Sequence, residues 1–241
     1  MRNNLSFINV YKKKNKSEIV TQLLYGDTFT KVKKEGSWLK IKNHSDNYKG
    51  FIKKKFFPKN EKSTHKVFNL FANLYKKPNV KIKKKISFGS KIKVTKKKNN
   101  FFKFENFCKK KKDLKPINYK SRDVFKCTKK FVNAKYRWGG KHYSGIDCSA
   151  LVQLSLNFNN KFCPRDTKDQ IKYFKKKVKL NNIKKNDLIF WKGHVAIALS
   201  KEKLIHAYGP LKKTVIMPIG QTIRKIQKTA SLKVIGIRRI S

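Results

Sequence analysis

A thiol and two imidazoles are the side chains of this 241-residue chain whose types and spacing could do chemistry together. Cys148 follows Gly145-Ile146-Asp147, and an apolar pattern with helical spacing begins directly after it. At the start of a helix, unpaired backbone N–H groups and the positive end of the helix dipole favour a thiolate, the reactive form of cysteine. A second interpretation stays open at this point, in which Cys148 is a small buried apolar residue.

A nucleophilic cysteine needs a base and a further group that orients this base. His194 begins one predicted strand, and His206 lies on the next one. Neighbouring antiparallel strands place two such side chains next to each other on one face, so the spacing predicts a Cys–His–His site. The other histidines are weaker candidates because they lie near turns or in the glycine-rich loop: His44, His65 and His142.

The segment 119–241 must position these three side chains, and its pattern changes from helical to strand-like along the chain. A first predicted helix, capped by residues 121–123, has apolar side chains on one face. A second begins at Cys148, and a short third one contains Gln170. The predicted strands then follow without further helices: 187–191, 194–199, 203–207, 215–217 and 234–237. Helices followed by strands, without alternation, predict an α+β fold.

Two all-β units are predicted ahead of this segment. Residues 1–60 contain short alternating segments separated by turn residues, which favour a small barrel. The same pattern of a turn glycine followed by a strand returns in 61–118. We therefore predict two barrels, 1–60 and 61–118, before a domain over 119–241. A generic all-β module is the alternative for the first barrel, and a β-rich linker decorated with lysine is the alternative for the second.

Several motifs resemble a known family when taken in order. They are Tyr136-Arg137-Trp138-Gly139-Gly140, Gly145-Ile146-Asp147-Cys148-Ser149, Gly193-His194-Val195-Ala196-Ile197 and Ile205-His206-Ala207. This order is similar to that of the NlpC family of papain-like cysteine peptidases over most of residues 119–241. The glycine and tryptophan pattern of residues 1–60 resembles bacterial SH3-like domains. With two such units, the chain resembles the subgroup of γ-D-glutamyl-L-diamino acid endopeptidases.

The resemblance implies catalytic roles that can be assigned to individual residues. Cys148 would attack the amide carbonyl that follows a γ-linked D-glutamate, and His194 would accept its proton and later protonate the leaving amine. His206 would hold the His194 ring in the productive tautomer. The Cys148 backbone N–H and the Tyr136 hydroxyl would stabilise the oxyanion.

The resemblance also implies a substrate pocket. The free N-terminal L-alanine of the substrate would lie near Asp147, Ser149 and a tyrosine of the first barrel, best matched by Tyr48. The remaining pocket residues would be Trp138, Arg165, Asp166 and Thr167. A buried Asp147 would need the substrate ammonium as its partner, although Asp147 could equally be only a helix N-cap. The chain departs from the usual pattern at Ala150, where a glycine is expected.

We therefore expect a cysteine endopeptidase that cleaves peptidoglycan stem peptides or muropeptides. The resemblance implies neither a metal nor an organic cofactor, and we expect a monomer. The alternative is a catalytically drifted protein that binds cell wall or polyanions through its SH3-like domains. A thiol-reactive probe on Cys148 would distinguish the two.

The charge of the chain is strongly positive, with 63 Lys+Arg against 13 Asp+Glu and a formal net charge of +50. Such a chain is expected to adhere to polyanions, among them nucleic acid, acidic wall polymers and anionic membranes. Scattered solvated lysines without a function are the simpler interpretation. A nucleic-acid binder would rest on charge alone, because the sequence lacks the interleaved aromatic residues of a single-strand groove.

Compartment follows from what the sequence lacks. The first residues show no apolar run typical of a signal peptide, and no stretch approaches a membrane span. The four cysteines have no C-x-x-C spacing, so neither a zinc site nor a disulfide framework is indicated. We expect a cytoplasmic protein, with the cell envelope as the alternative.

Overall fold

The computed structural model describes residues 1–14 and 18–240, which form two compact units. The first contains residues 1–120 together with 138–143, and the second contains residues 121–137 and 144–241. The β-rich character of the first part and the α+β class of the second part are confirmed. The boundaries of the two predicted barrels, at 60 and 118, stay a prediction.

An antiparallel five-stranded sheet forms the beginning of the first unit, in the order β2-β1-β5-β4-β3. Its strands are β1 Phe7–Tyr11, β2 Ile19–Leu24, β3 Phe29–Glu35, β4 Trp38–Asn43 and β5 Lys49–Lys53. The alternation of apolar and lysine residues turns one face inward, as in β4, where Ile41 is buried and Lys42 is exposed. The inward side chains share a core with Val10, Leu23, Phe29 and Ile52.

Two further sheets complete the first unit, in the orders β10-β11-β12-β7-β8 and β13-β6-β9. Their strands are β6 His65–Val67, β7 Phe71–Lys77, β8 Val80–Ser87, β9 Lys91–Ile92, β10 Lys96–Lys98, β11 Phe101–Phe104, β12 Phe107–Lys110 and β13 Leu114–Pro116. Gly26 joins the two parts of this unit: its φ is +83°, and a Cβ there would overlap the carbonyl oxygen of Lys91. The Lys91 N–H in turn donates to the Tyr25 carbonyl at 2.9 Å.

The glycine-rich loop before Cys148 belongs in part to the first unit, through residues 138–143 and the short strand β14 Lys141–His142. The Gln22 side-chain oxygen accepts from the backbone N–H groups of Lys141 and His142, at 2.8 and 3.1 Å. Gly139 has a φ of +70°, and a Cβ there would overlap the Ile19 carbonyl oxygen. A residue with a side chain would therefore not fit at Gly139 without a shift of the Ile19 backbone.

The second unit is built around an antiparallel six-stranded sheet in the order β16-β21-β17-β18-β19-β20. Ahead of the sheet in sequence lie the short strand β15 Gly145–Ile146 and the helices α1 Cys148–Phe158 and α2 Thr167–Tyr173. The sheet strands are β16 Lys176–Val178, β17 Asp187–Trp191, β18 His194–Ala198, β19 Lys203–Tyr208, β20 Lys213–Pro218 and β21 Gly236–Arg239, and helix α3 Ile219–Ala230 lies between the last two in sequence. None of the helices within residues 1–14 and 18–240 has the length and apolar character that would let it cross a membrane.

The two long helices cover opposite faces of this sheet. Helix α1 is almost entirely buried and contacts β18 and β19. Helix α3 is amphipathic and packs Ile219 and Ile226 into a core that includes Trp191 and Leu204. Side chains on alternate sheet positions therefore meet one helix or the other, which gives the strands their continuous apolar character.

Two secondary-structure predictions for this unit are wrong. The predicted helix over 124–132 is a 3-10 helix, Lys126–Phe131. An Asx turn replaces the first turn of the predicted helix, because Asp123 Oδ1 accepts a hydrogen bond from the Phe125 N–H at 3.1 Å. Helix α3 was not predicted, although Ile219, Ile223 and Ile226 have helical spacing. Gly220 and the preceding β-rich segment obscured that pattern.

Candidate active site

Cys148 is the first residue of α1 and is 5% exposed. Burial, together with the charge of Asp147, raises the pKa of its thiol to about 12, although the backbone N–H groups of Val195 and Ser149 oppose this. Burial therefore opposes the effect of the helix start, which favours the thiolate. Deprotonation of Cys148 requires a base.

The Val195 N–H that faces the thiol belongs to the residue next to His194. The ring of His194 is bonded to that of His206, with 2.9 Å between His194 Nε2 and His206 Nδ1. Burial lowers the pKa of His194 to about 4, and burial together with His194 lowers the pKa of His206 to about 3. Both rings are therefore neutral near pH 7, as a proton acceptor must be.

Only one tautomer of this pair leaves His194 able to act as a base. A proton on His194 Nε2, donated to His206 Nδ1, leaves His194 Nδ1 with a free lone pair. The opposite arrangement, with the proton on His206 Nδ1, would place the His194 proton on Nδ1 and remove the acceptor. In the productive arrangement, in which His206 Nδ1 is the acceptor, His206 carries its own proton on Nε2, an atom that is buried and has no hydrogen-bond partner among the described residues.

Aromatic packing holds the two imidazoles in a dry environment. His206 is fully buried and stacks on Tyr208, with ring centroids 4.6 Å apart and an interplanar angle of 11°. His194 pairs with Trp191 across β17 and β18, with ring centroids 5.6 Å apart. Sequence reasoning missed both aromatic residues, although Tyr208 follows His206 by two residues and therefore shares its face of the strand.

A buried ion pair flanks the cysteine. Arg165 donates to Asp147 through both terminal nitrogens, at 3.0 and 2.5 Å, and to the Ser149 hydroxyl at 2.7 Å. Asp147 also caps α1 by accepting from the Ala150 N–H at 2.8 Å. Asp147 therefore does not need the substrate ammonium as its partner, because Arg165 supplies a cation. The residues on both sides of Cys148 are thus fixed by a single guanidinium.

Hydrogen bonds from Gln170 connect the turn that carries Arg165 to the start of α1. Gln170 Nε2 donates to the carbonyl oxygens of Ser149 and Pro164, both at 3.0 Å. Asp166 and Thr167 lie where α2 begins, at its N-cap and its first position. The structure therefore brings Arg165 to the cysteine and places Asp166 and Thr167 immediately after it in the same turn.

Tyr136 also lies close to the thiol. Burial raises the pKa of its hydroxyl, and the negative charges that Cys148 and Asp147 can carry raise it further. Its backbone N–H donates to the Lys212 carbonyl at 2.8 Å, and its ring lies against Gly209. Tyr136 therefore stays protonated and can donate a hydrogen bond.

The two remaining pocket candidates belong to the first unit. Trp138 is 58% exposed, and Tyr48 is half-buried in the turn before β5, where its N–H donates to Asp46 at 3.0 Å. Their contribution to a substrate pocket stays a prediction.

Two parts of the chain match known family models. Residues 133–230 match the NlpC/P60 family, and residues 6–58 match the bacterial SH3 domain. A solved NlpC/P60 family protein from Bacillus cereus ATCC 10987 superposes with a TM-score of 0.82 at 19% identity, covering 99% of this chain and 98% of the other. This likeness shows the fold.

Two curated relatives match more closely in sequence over a shorter region. Dipeptidyl-peptidase 6 of Lysinibacillus sphaericus is 35% identical over 77 residues, and the probable endopeptidase NlpC homologue of Haemophilus influenzae is 34% identical over 82 residues. Each match covers 32% of this chain, but only 28% and 43% of the respective relatives. The chain thus spans less than half the length of either relative.

Proposed function

We propose that this chain, which carries an NlpC/P60 domain behind a bacterial SH3 domain, is a cysteine endopeptidase acting on peptidoglycan peptides. The observation that carries the proposal is the placement of a helix-start thiol beside the Val195 N–H, one residue from a histidine that is bonded to a second histidine at 2.9 Å. The members of the NlpC/P60 family are cysteine peptidases and peptidoglycan hydrolases, and the names of the two curated relatives agree with this.

The first half of the reaction transfers one proton and forms one bond. His194 takes the thiol proton of Cys148, the sulfur attacks the amide carbonyl carbon, and the carbonyl electrons move onto oxygen. The resulting oxyanion accepts hydrogen bonds from the Cys148 N–H and the Tyr136 hydroxyl, which stays a donor because burial and nearby negative charge raise its pKa. His194 then protonates the leaving amine as the carbon–nitrogen bond breaks.

The second half regenerates the enzyme. Water enters the position of the departed amine, and His194 accepts its proton while the oxygen attacks the thioester carbon. The carbon–sulfur bond breaks, and the proton returns to the Cys148 sulfur. His206 stabilises the imidazolium in both halves by accepting from His194 Nε2.

The bond we propose is the one between γ-D-glutamate and the L-diamino acid of a stem peptide that begins with a free L-alanine. Asp147, Ser149, Arg165, Asp166 and Thr167 would line the pocket with Trp138 and Tyr48. Because Asp147 is already paired with Arg165, it would attract the substrate ammonium only as part of this cluster. We further propose action on free muropeptides in the cytoplasm, with the cell envelope as the alternative.

The test is cleavage of L-Ala-γ-D-Glu-diaminopimelate by the purified full-length chain, followed by mass spectrometry of the products. We expect L-Ala-D-Glu and free diaminopimelate, with loss of at least about 10⁴-fold in kcat/KM for Cys148→Ala. Cys163→Ala is the matched control, because Cys163 is a second buried cysteine and takes no part in our mechanism.

The outcomes separate the alternatives. Wild-type activity in Cys148→Ala would refute the mechanism. Cleavage elsewhere in the peptide would refute only the bond specificity. No cleavage, with no alkylation of Cys148 by iodoacetamide, would favour a drifted binding protein.

A further inference from the structure

The second part of the first unit, residues 61–118, concentrates positive charge more than the rest of the chain. It contains 19 lysines but three acidic residues, Glu61, Glu105 and Asp113. Each of the three already has a cation partner: Lys93 at 3.3 Å, Arg2 at 2.8 Å and Lys109 at 3.2 Å, respectively. The segment therefore has no acidic group left to neutralise the lysines on its surface.

A cavity of about 700 Å³ opens within this segment. None of the residues that line it is acidic, in this fully described part of the chain. Four of them are lysines: Lys110, Lys111, Lys112 and Lys115. Its floor is apolar, because Phe101 and Leu114 are buried. The residues lining the cavity thus combine four lysines with two buried apolar side chains.

The fold turns the one neighbouring carboxylate away from this rim. Asp113 accepts from the Asn69 amide at 2.7 Å and pairs with Lys109, a lysine that is completely buried. The 3-10 helix Lys111–Asp113 leaves Lys111 and Lys112 exposed on the outside. The buried Lys109 and the half-buried Asp113 therefore pair with each other, and the rim lysines do not share in that pair.

The aromatic rings near the rim are occupied by lysines of this chain. Lys110 lies over Tyr75 at 5.8 Å, and Lys115 lies over Tyr119 at 5.2 Å. Phe71 is the exposed aromatic ring of residues 61–118, and Lys85 covers it at 4.3 Å. Single-stranded nucleic acid is bound by stacking bases on free rings, which this surface lacks. A DNA duplex is too wide and stiff to enter a cavity of this size.

We propose that the cavity rimmed by Lys110, Lys111, Lys112 and Lys115 binds a flexible polyanion without bases, of the polyol-phosphodiester class. Repeating phosphates would contact the rim lysines in turn, and the short polyol segments would lie on the apolar floor. Binding would be driven by the release of counterions and would weaken as salt increases. This site is separate from the thiol chemistry and does not depend on the proposed peptidase function.

The test is titration of the full-length chain with a poly(glycerol phosphate) oligomer at several salt concentrations. We expect Lys111→Ala combined with Lys112→Ala to weaken binding roughly 10- to 30-fold at low salt. We also expect the slope of log K against log salt to fall by about 1.4, the value for two lost phosphate contacts. The matched control is Lys225→Ala combined with Lys228→Ala, two exposed lysines on α3.

Three outcomes would overturn the proposal. An equal loss in the α3 control would mean that binding follows net charge and not this cavity. Tighter binding of a single-stranded oligonucleotide with the same number of phosphates would identify a nucleic-acid site. Absence of binding at physiological salt would remove the site altogether. Peptidase activity stays unchanged in both double variants if the two sites are independent.

Discussion

The surroundings of Cys148 and the lysine-rimmed cavity of residues 110–115 handle charge in opposite ways. Asp147 and Arg165 are nearly free of solvent, with side chains 7% and 2% exposed, and they satisfy each other at 2.5 Å. Four lysines line the cavity, and no carboxylate lies among the residues that line it. The first arrangement fixes geometry, and the second retains attraction for an external anion.

Removing a charge should therefore have different consequences in the two regions. Removing one member of a buried pair leaves an unsolvated charge and costs several kcal/mol. Removing one exposed lysine changes little, because water and salt already screen it. Single substitutions should therefore be decisive beside Cys148, whereas several are needed at the cavity.

The largest expected effect is that of Arg165→Ala, which leaves Asp147 buried without its cation. We expect the free energy of unfolding to fall by about 3 to 5 kcal/mol. Urea denaturation at neutral pH measures this. Arg165→Lys should retain part of the stability but not the bidentate contact, so it should lie between wild type and Arg165→Ala.

The control for Arg165 is an exposed ion pair in the other unit. Lys12 and Glu18 are 3.1 Å apart, with side chains 63% and 38% exposed. Glu18→Gln should lower stability by less than about 1 kcal/mol. An equally small effect of Arg165→Ala would show that Asp147 is not held as a buried ion, and the comparison of the two regions would fail.

The next effect concerns His206 as a positioning residue for His194. His206→Ala removes the acceptor for His194 Nε2–H, and we expect kcat/KM to fall by about 100-fold or more. His206→Asn offers an oxygen near the place of Nδ1 and should restore part of this loss. The measurements are peptide cleavage and the rate of Cys148 alkylation.

A purely structural role for His206 predicts a different result. In that case, the alanine and asparagine variants would lose activity in proportion to their stability, and asparagine would give no rescue. Circular dichroism and denaturation of both variants separate the two cases.

Sequence reasoning predicted the elements that carry the reacting groups more fully than it predicted their environment. The helix start at Cys148 and the strands of His194 and His206 follow from local periodicity, which a sequence displays directly. The Asp147–Arg165 pair joins residues 18 positions apart through a turn, so no local pattern reveals it. The pKa of the Cys148 thiol was equally hidden from the sequence. A helix start favours a thiolate, but burial raises the pKa, and burial depends on the tertiary structure.

Acid should destabilise the protein through the two imidazoles. Burial holds the pKa of His194 at about 4 and that of His206 at about 3, below the ordinary 6.5. As pH falls below 6.5, the unfolded chain takes up protons that the folded chain excludes, so stability decreases toward pH 4. Each imidazole contributes at most about 1.4 kcal/mol per pH unit.

The check is the difference between wild type and His206→Asn in urea denaturation from pH 7 to pH 4. The variant lacks one buried imidazole and should lose less stability over this range. Identical pH dependence would mean that His206 is not held neutral by burial. Alkaline conditions should also destabilise the protein, through Cys148. The thiol of the unfolded chain has a pKa near 9.0, whereas burial raises the pKa of the folded thiol to about 12.

The smallest expected effect is on the stability of the cavity variant, Lys111→Ala combined with Lys112→Ala. Both side chains are exposed, so the change should be within about 0.5 kcal/mol. Its sign should be favourable at low salt, because the variant removes two charges from a chain of net charge +50. The gain should vanish as salt screens the remaining repulsion. Denaturation at low and high salt tests this, and a loss of several kcal/mol would show that these lysines hold the fold together and are not kept for an external anion.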